Sequence, residues 1–161
     1  MNKIKNLTLV CLALAVMLAL SCGGGSNDDD GPAPLTAEEQ RLLDLGGSTG
    51  VTWIATSITQ DGAPANGFDS FSLTIRGTLD SKTYNSTDAD PLLNSSGTWD
   101  FDGTNISRII FDADSDNVYV ISNLQTAQAP ATMTLTVNYT NPGGGTRAGG
   151  NGTYVFNLRA Q

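Results

Sequence analysis

The chain is 161 residues long, and its 8 Lys and Arg stand against 16 Asp and Glu, a formal net charge of −8. So acidic a surface is unsuited to nucleic acid or to an anionic lipid face. The sequence holds no histidine, which excludes Ser-His-Asp and Cys-His catalysis and any imidazole-ligated metal.

Residues 1–6 carry Lys3, Lys5 and the amino terminus, and an apolar run broken only by Thr8 follows from Leu7 to Leu20. This is the basic and apolar pattern of a secretory signal. Fourteen helical residues rising ~1.5 Å each give roughly 21 Å, short of a ~30 Å hydrocarbon core, so the run reads as a leader and not as a permanent span. The stretch Leu18-Ala19-Leu20-Ser21-Cys22 resembles the lipobox of bacterial lipoproteins. That resemblance implies cleavage before Cys22, with diacylglycerol and an acyl chain on its sulfur and amine, and no other cofactor. Ordinary cleavage after Ala19-Leu20-Ser21 also cuts before Cys22 and differs only in leaving the thiol free.

Three segments follow from this reading: a signal peptide over 1–21, a tether over 22–34, and one domain over 35–161. Loss of the leader removes Lys3 and Lys5 and no acid, leaving 6 Lys and Arg against 16 Asp and Glu, a net charge of −10. The other cysteine, Cys11, lies in the leader, so the domain has no disulfide and must rest on its core. The tether GGGSNDDDGPAP has no apolar period and is expected to be disordered. Its Asp28-Asp29-Asp30 run resembles the acidic export tag behind the lipidated cysteine of Bacteroidetes-type surface lipoproteins. The resemblance implies an outer-membrane anchor with the domain on the cell surface.

In the domain, Thr36-Ala37-Glu38-Glu39 is a capping box, Leu42, Leu43 and Leu45 form a narrow apolar stripe, and Gly46-Gly47 stops the turn. The pattern predicts a short helix over about 36–46, too short to stand alone and expected to cover one end of a β-structure. Eight strands are predicted: 51–58, 70–76, 81–86, 97–102, 105–112, 117–123, 132–140 and 153–159. Alternation is plainest where Met133, Leu135, Val137 and Tyr139 oppose Thr132, Thr134, Thr136 and Asn138. Turns at Asp61-Gly62, Asp102-Gly103 and Ala113–Asp116 are hairpin-like, so successive strands should pair as an antiparallel meander. A meander of about eight strands closes into a barrel or a barrel-like sandwich. Two connections are long, Thr87–Ser96 and the glycine-rich Asn141–Gly152, and the second reads as a mobile loop at one end.

Few residues suggest chemistry. Asp112, Asp114 and Asp116 stand at alternate positions, as the first ligands of a calcium loop do, and would hold Ca²⁺ weakly if the backbone curled. The sixth position is Asn117 in place of glycine and the twelfth Asn123 in place of glutamate, which favours a plain acidic turn. Asp100 and Asp102 share a strand face as a glycosidase pair would, but alternate with Trp99 and Phe101 and should point to solvent. Glu38 and Glu39 are the sole glutamates and belong to the helix start, and Lys82 is the sole lysine beyond the leader. Little is left for acid–base work, and no enzyme activity is expected.

Gly50-Val51-Thr52-Trp53, Ser96-Gly97-Thr98-Trp99-Asp100-Phe101 and Gly152-Thr153-Tyr154-Val155-Phe156-Asn157-Leu158 together resemble the strand motifs of small Bacteroidetes-type lipoproteins with a lipocalin-like domain. The resemblance covers about 36–161. It implies a barrel whose end is closed by Trp53 with a guanidinium stacked on the indole, from Arg147 or Arg159. It also admits two roles: a contact module for an envelope partner, or a lipocalin-like carrier of a small apolar ligand. A hydrolase is the remote third. Inward Phe, Tyr, Trp, Leu and Ile would fill an eight-strand barrel and disfavour the carrier.

Overall fold

The computed structural model describes residues 33–141 and 150–161, and Leu35–Gln161 form one compact unit. The unit opens with α1 (Ala37–Leu45), whose capping box is formed: the Glu39 amide donates to Thr36 Oγ1 at 3.2 Å and the Thr36 amide to Glu39 Oε2 at 2.8 Å. Leu42 and Leu45 are buried, while Leu43 stays outside. At the helix end Gly46 lies flat on the Ile75 carbonyl, where a Cβ would collide with backbone. Only glycine brings the helix so close to the sheet.

Nine strands follow: β1 (Val51–Gln60), β2 (Ala63–Pro64), β3 (Ser72–Gly77), β4 (Lys82–Thr87), β5 (Ser96–Asp102), β6 (Asn105–Phe111), β7 (Val118–Gln125), β8 (Thr132–Tyr139) and β9 (Gly152–Ala160). All pairings are antiparallel. β2 is a two-residue return of β1 across the Asp61-Gly62 turn, where both residues have positive φ as a type I′ turn requires. The other eight run as a meander, and β9 pairs back onto β1 from Trp53↔Ala160 to Gln60↔Tyr154, closing a barrel. Closure leaves no long edge exposed.

Alternate residues of the eight meander strands fill the interior. Leu73, Ile75, Ile109, Leu135, Tyr154 and Trp53 are fully buried, and threonines and asparagines take the outer face. β1 breaks strict alternation: Trp53 and Ile58 both face inward although they are five positions apart. A bulge between Ala55 and Ser57 absorbs the odd residue and restores the inward phase.

Both ends are plugged. Viewed with β1 rising, the lower end is covered by α1, where Trp53 Nε1 donates to the Leu45 carbonyl at 3.0 Å and Trp99 Nε1 to the Arg76 carbonyl at 2.9 Å. The upper end is stoppered by two inward-folded connections. Phe68 and Phe71 pack on Tyr154 and Phe156, with Phe71 and Phe156 ring centroids 4.8 Å apart. The loop between β4 and β5 contributes buried Ala89, Leu92 and Leu93. Each large apolar side chain so enclosed stabilises the fold by roughly 1.5–3 kcal/mol.

The predicted all-β barrel with one short helix is what the chain adopts, with predicted and observed element ends differing by two residues or fewer at most boundaries. Trp53 sits at the lower end with its indole bonded to the Leu45 carbonyl of the covering helix. Arg159 does not stack on it: its neighbour Leu158 takes the inward position, and Arg159 lies on the exposed face of β9. Arg147 lies outside the described residues, as does Cys22.

Candidate functional site

Three features of the barrel surface could meet a ligand or partner: the upper rim, a groove in the wall, and the lower, helix-covered end.

At the upper rim the turn from β6 to β7 places Asp112 and Ala113 at positive φ, which swings the Asp112 carboxylate back over the barrel mouth. There it accepts three hydrogen bonds, from Tyr84 Oη at 2.6 Å, Asn94 Nδ2 at 2.9 Å and the Thr98 amide at 3.0 Å. Gly97 makes room for it: a Cβ on Gly97 would strike Asp112 Oδ1 and lie 2.8 Å from Tyr84 Cε1. Tyr119 Oη donates to the Leu92 carbonyl at 2.8 Å and Tyr139 Oη to the Pro91 carbonyl at 3.0 Å. The rim is therefore a clamp on the 88–95 loop. A cavity of about 200 Å³ remains beneath it, lined by Leu92, Leu93, Phe111, Tyr119 and Tyr139 among others. That is below the ~300 Å³ at which small-molecule sites begin.

Electrostatics agree with a structural clamp. Burial alone would raise the Asp112 pKa, but the bonds from Tyr84, Asn94 and Thr98 outweigh it and hold the carboxyl below its ordinary range. Burial pushes the Tyr84 hydroxyl up, and the Asp112 bond and charge push it further. Tyr119, Tyr139 and Tyr154 are raised as well, by burial first and nearby charge second. The ionised carboxylate and the protonated Tyr84 hydroxyl are the states in which their short hydrogen bond is strongest.

The wall groove arises where β4 and β5 pair over only three positions, Thr83↔Thr98 to Asn85↔Ser96. Below that seam the Lys82 side chain crosses the gap. Its Nζ lies 3.1 Å from Asp100 Oδ1 and 3.5 Å from Glu38 Oε1, and 5.8 Å from the Phe101 ring centre. The side chain is only 10% exposed, so Lys82 works as a stud joining helix to wall. Around it lies an open groove of about 580 Å³, lined by Leu79, Thr83, Thr98, Asp100, Ile110 and others. Its mixed polar and apolar walls suit an extended chain more than a compact ligand.

The lower end carries three exposed leucines, Leu35, Leu43 and Leu79, beside α1 and the β3–β4 turn. A mostly apolar hollow of about 260 Å³ lies between them, floored by Leu42, Gly47 and Gly77.

The candidate calcium residues are not brought together. Asp112 is spent on the rim clamp, and Asp114 accepts from the Asp116 amide at 3.1 Å and from Asn117 Nδ2 at 2.7 Å. Among the described residues no group of three acidic or thiol side chains is placed to hold a metal ion. Asp100 and Asp102 point outward as expected, Asp100 to Lys82 and Asp102 to Arg108 Nε at 3.1 Å, a charge pair without hydrogen-bond alignment. The Asp112 clamp and the plug of Leu92 and Leu93 were not read from the sequence. The one signal was a pair of leucines in an otherwise polar connection. No family model matches the chain, and neither a curated protein nor a solved structure matches it.

Proposed function

We propose that the chain is a lipid-anchored cell-envelope protein whose barrel is a non-catalytic binding or interaction module, working through its outer wall and not through a lumen. One observation carries the second half of this reading: the barrel is filled with Trp53, Leu73, Ile75, Ile109, Leu135, Tyr154 and Phe156 and stoppered at both ends. A lipocalin-like carrier needs a hollow interior. A hydrolase needs a proton-transfer pair, and the titratable groups at the rim and in the groove are bound into clamps. The wall groove is the natural contact surface.

The anchor rests on the leader and on Cys22, and the Asp28-Asp29-Asp30 run supports an outer-membrane, cell-surface placement of the barrel. Two measurements test the whole reading. Metabolic palmitate labelling should mark the parent chain and not the Cys22→Ala form; equal labelling of both removes the anchor. Native mass spectrometry of the chain isolated from its own cells should show the bare polypeptide plus acyl mass. A stoichiometric apolar small molecule retained through desolvation would reinstate the carrier. Protease shaving of whole cells separates surface exposure from a periplasmic location.

A further inference from the structure

We propose that the helix-covered end of the barrel is a membrane-resting face, on which Leu35, Leu43 and Leu79 settle into the interfacial layer of the bilayer that holds Cys22. The inference builds on the anchor proposed above. These leucines are 53%, 55% and 52% exposed, the most exposed of the large apolar side chains among the described residues, and all three border one hollow. The other exposed large apolar side chain, Val120, stands on the barrel wall.

The occupant follows from where the chain enters. Leu35 is the first residue of the compact unit and part of the patch itself. Only residues 23–34 separate it from Cys22, and so short a stretch spans at most about 47 Å even when fully extended. An anchored domain thus keeps this end near the lipid, at the high local concentration that lets a contact too weak for a free protein form. Apolar side chains of an interfacial face settle about 5–10 Å into the boundary between headgroups and acyl chains. The hollow between the leucines gives headgroup atoms or an acyl segment a place to enter.

Charge argues against a second copy on this patch. Glu39 borders the hollow, Asp44 and Asp80 are the chain neighbours of Leu43 and Leu79, Arg41 is the one cation on the helix, and Lys82 is already engaged by Glu38 and Asp100. Two such faces meeting would set like charges against each other. The net charge of −10 left after the leader favours a neutral, zwitterionic surface over an anionic one.

The test uses the chain from Cys22 to Gln161, coupled through the Cys22 thiol to a maleimide phospholipid in phosphatidylcholine vesicles, so that cellular lipidation is not needed. Trp53 and Trp99 are buried, 0% and 3% exposed, so a tryptophan placed on the surface dominates quenching by brominated lipid. Leu43→Trp and Leu79→Trp should be quenched about twofold more than Val120→Trp, as interfacial depth requires. Adding Leu35→Ser and Leu79→Ser to Leu43→Trp should abolish the difference, and these exposed positions leave the core intact. Phosphatidylglycerol in the vesicles should reduce the quenching, and 1 M salt, with a screening length of about 3 Å, should restore it. Equal quenching at positions 43, 79 and 120 overturns the proposal. So does a concentration-dependent dimer in vesicle-free sedimentation that the leucine-to-serine changes dissolve, because the patch would then belong to a second copy. Failure here leaves the palmitate result untouched, and failure of palmitate labelling leaves this vesicle result untouched.

Discussion

Gly97 and Asp112 show how one residue's absence of a side chain licenses another's position. Gly97→Ala would drive a methyl into Asp112 Oδ1 and against the Tyr84 ring. The expected cost is about 1–3 kcal/mol, from steric overpacking, read as a lower urea midpoint with unchanged slope. Asp112 itself should shape the acid limb of stability. Its native pKa lies below the ordinary 3.8, so the folded state gives up protons more readily than the unfolded one. The resulting stabilisation is complete above that ordinary value and disappears as pH falls through the lower native one. Asp112→Asn should therefore flatten the fall in melting temperature on acidification, and an unchanged acid limb would remove the clamp from the account. At this scale the sequence was least transparent. Asp112 read as part of a plain acidic turn, or at most a weak calcium ligand, because Asp114 and Asp116 are close in sequence. Its actual partners, Tyr84 and Asn94, lie 28 and 18 positions away.

Among the elements, α1 is the one whose logic is entirely local and also the one that closes the barrel. Thr36 and Glu39 cap it and Gly46 ends it, all readable within twelve residues, whereas the approach of Gly46 to the Ile75 carbonyl is set by the fold. Its contribution is concentrated in Leu45, which is 0% exposed and whose carbonyl receives the Trp53 indole. Leu45→Ala should cost about 2–5 kcal/mol by chemical denaturation, since rigid strands around it cannot collapse into the space. Leu43→Ala, on the exposed side of the same helix, should cost little. The strands were legible because inward and outward residues alternate. What hid was any departure from that rule. The bulge between Ala55 and Ser57 leaves no mark in the residues around it, and the plug formed by 88–95 reads as an ordinary connection. Both depend on what lies across the barrel and not along the chain.

For the molecule as a whole, the decisive property is a solid interior, and this too has a titration signature. Tyr84, Tyr119, Tyr139 and Tyr154 all hold their protons above the ordinary tyrosine value of 10.0. The unfolded chain therefore ionises first as pH rises. Stability is full below pH 10, by this argument, and falls as the solution is made more alkaline. A spectrophotometric titration should show these phenols ionising together with unfolding, and independent ionisation in the folded state would mean a wetter interior. The meander and its closure were legible in strand number and turn chemistry, whereas solid against hollow was decided by which of Phe, Tyr, Trp and Leu fell on the inner phase.

Closure also dictates when folding can finish. The first strand finds its main partner in the last, with Asn157 Nδ2 donating to Ser57 Oγ across 100 positions. A contact so distant in sequence forms late, because the loop entropy must be met first. Until the final strand has paired, the wall has a missing stave between the first strand and the eighth. The order of the strands therefore makes the closing seam the step on which the whole wall waits.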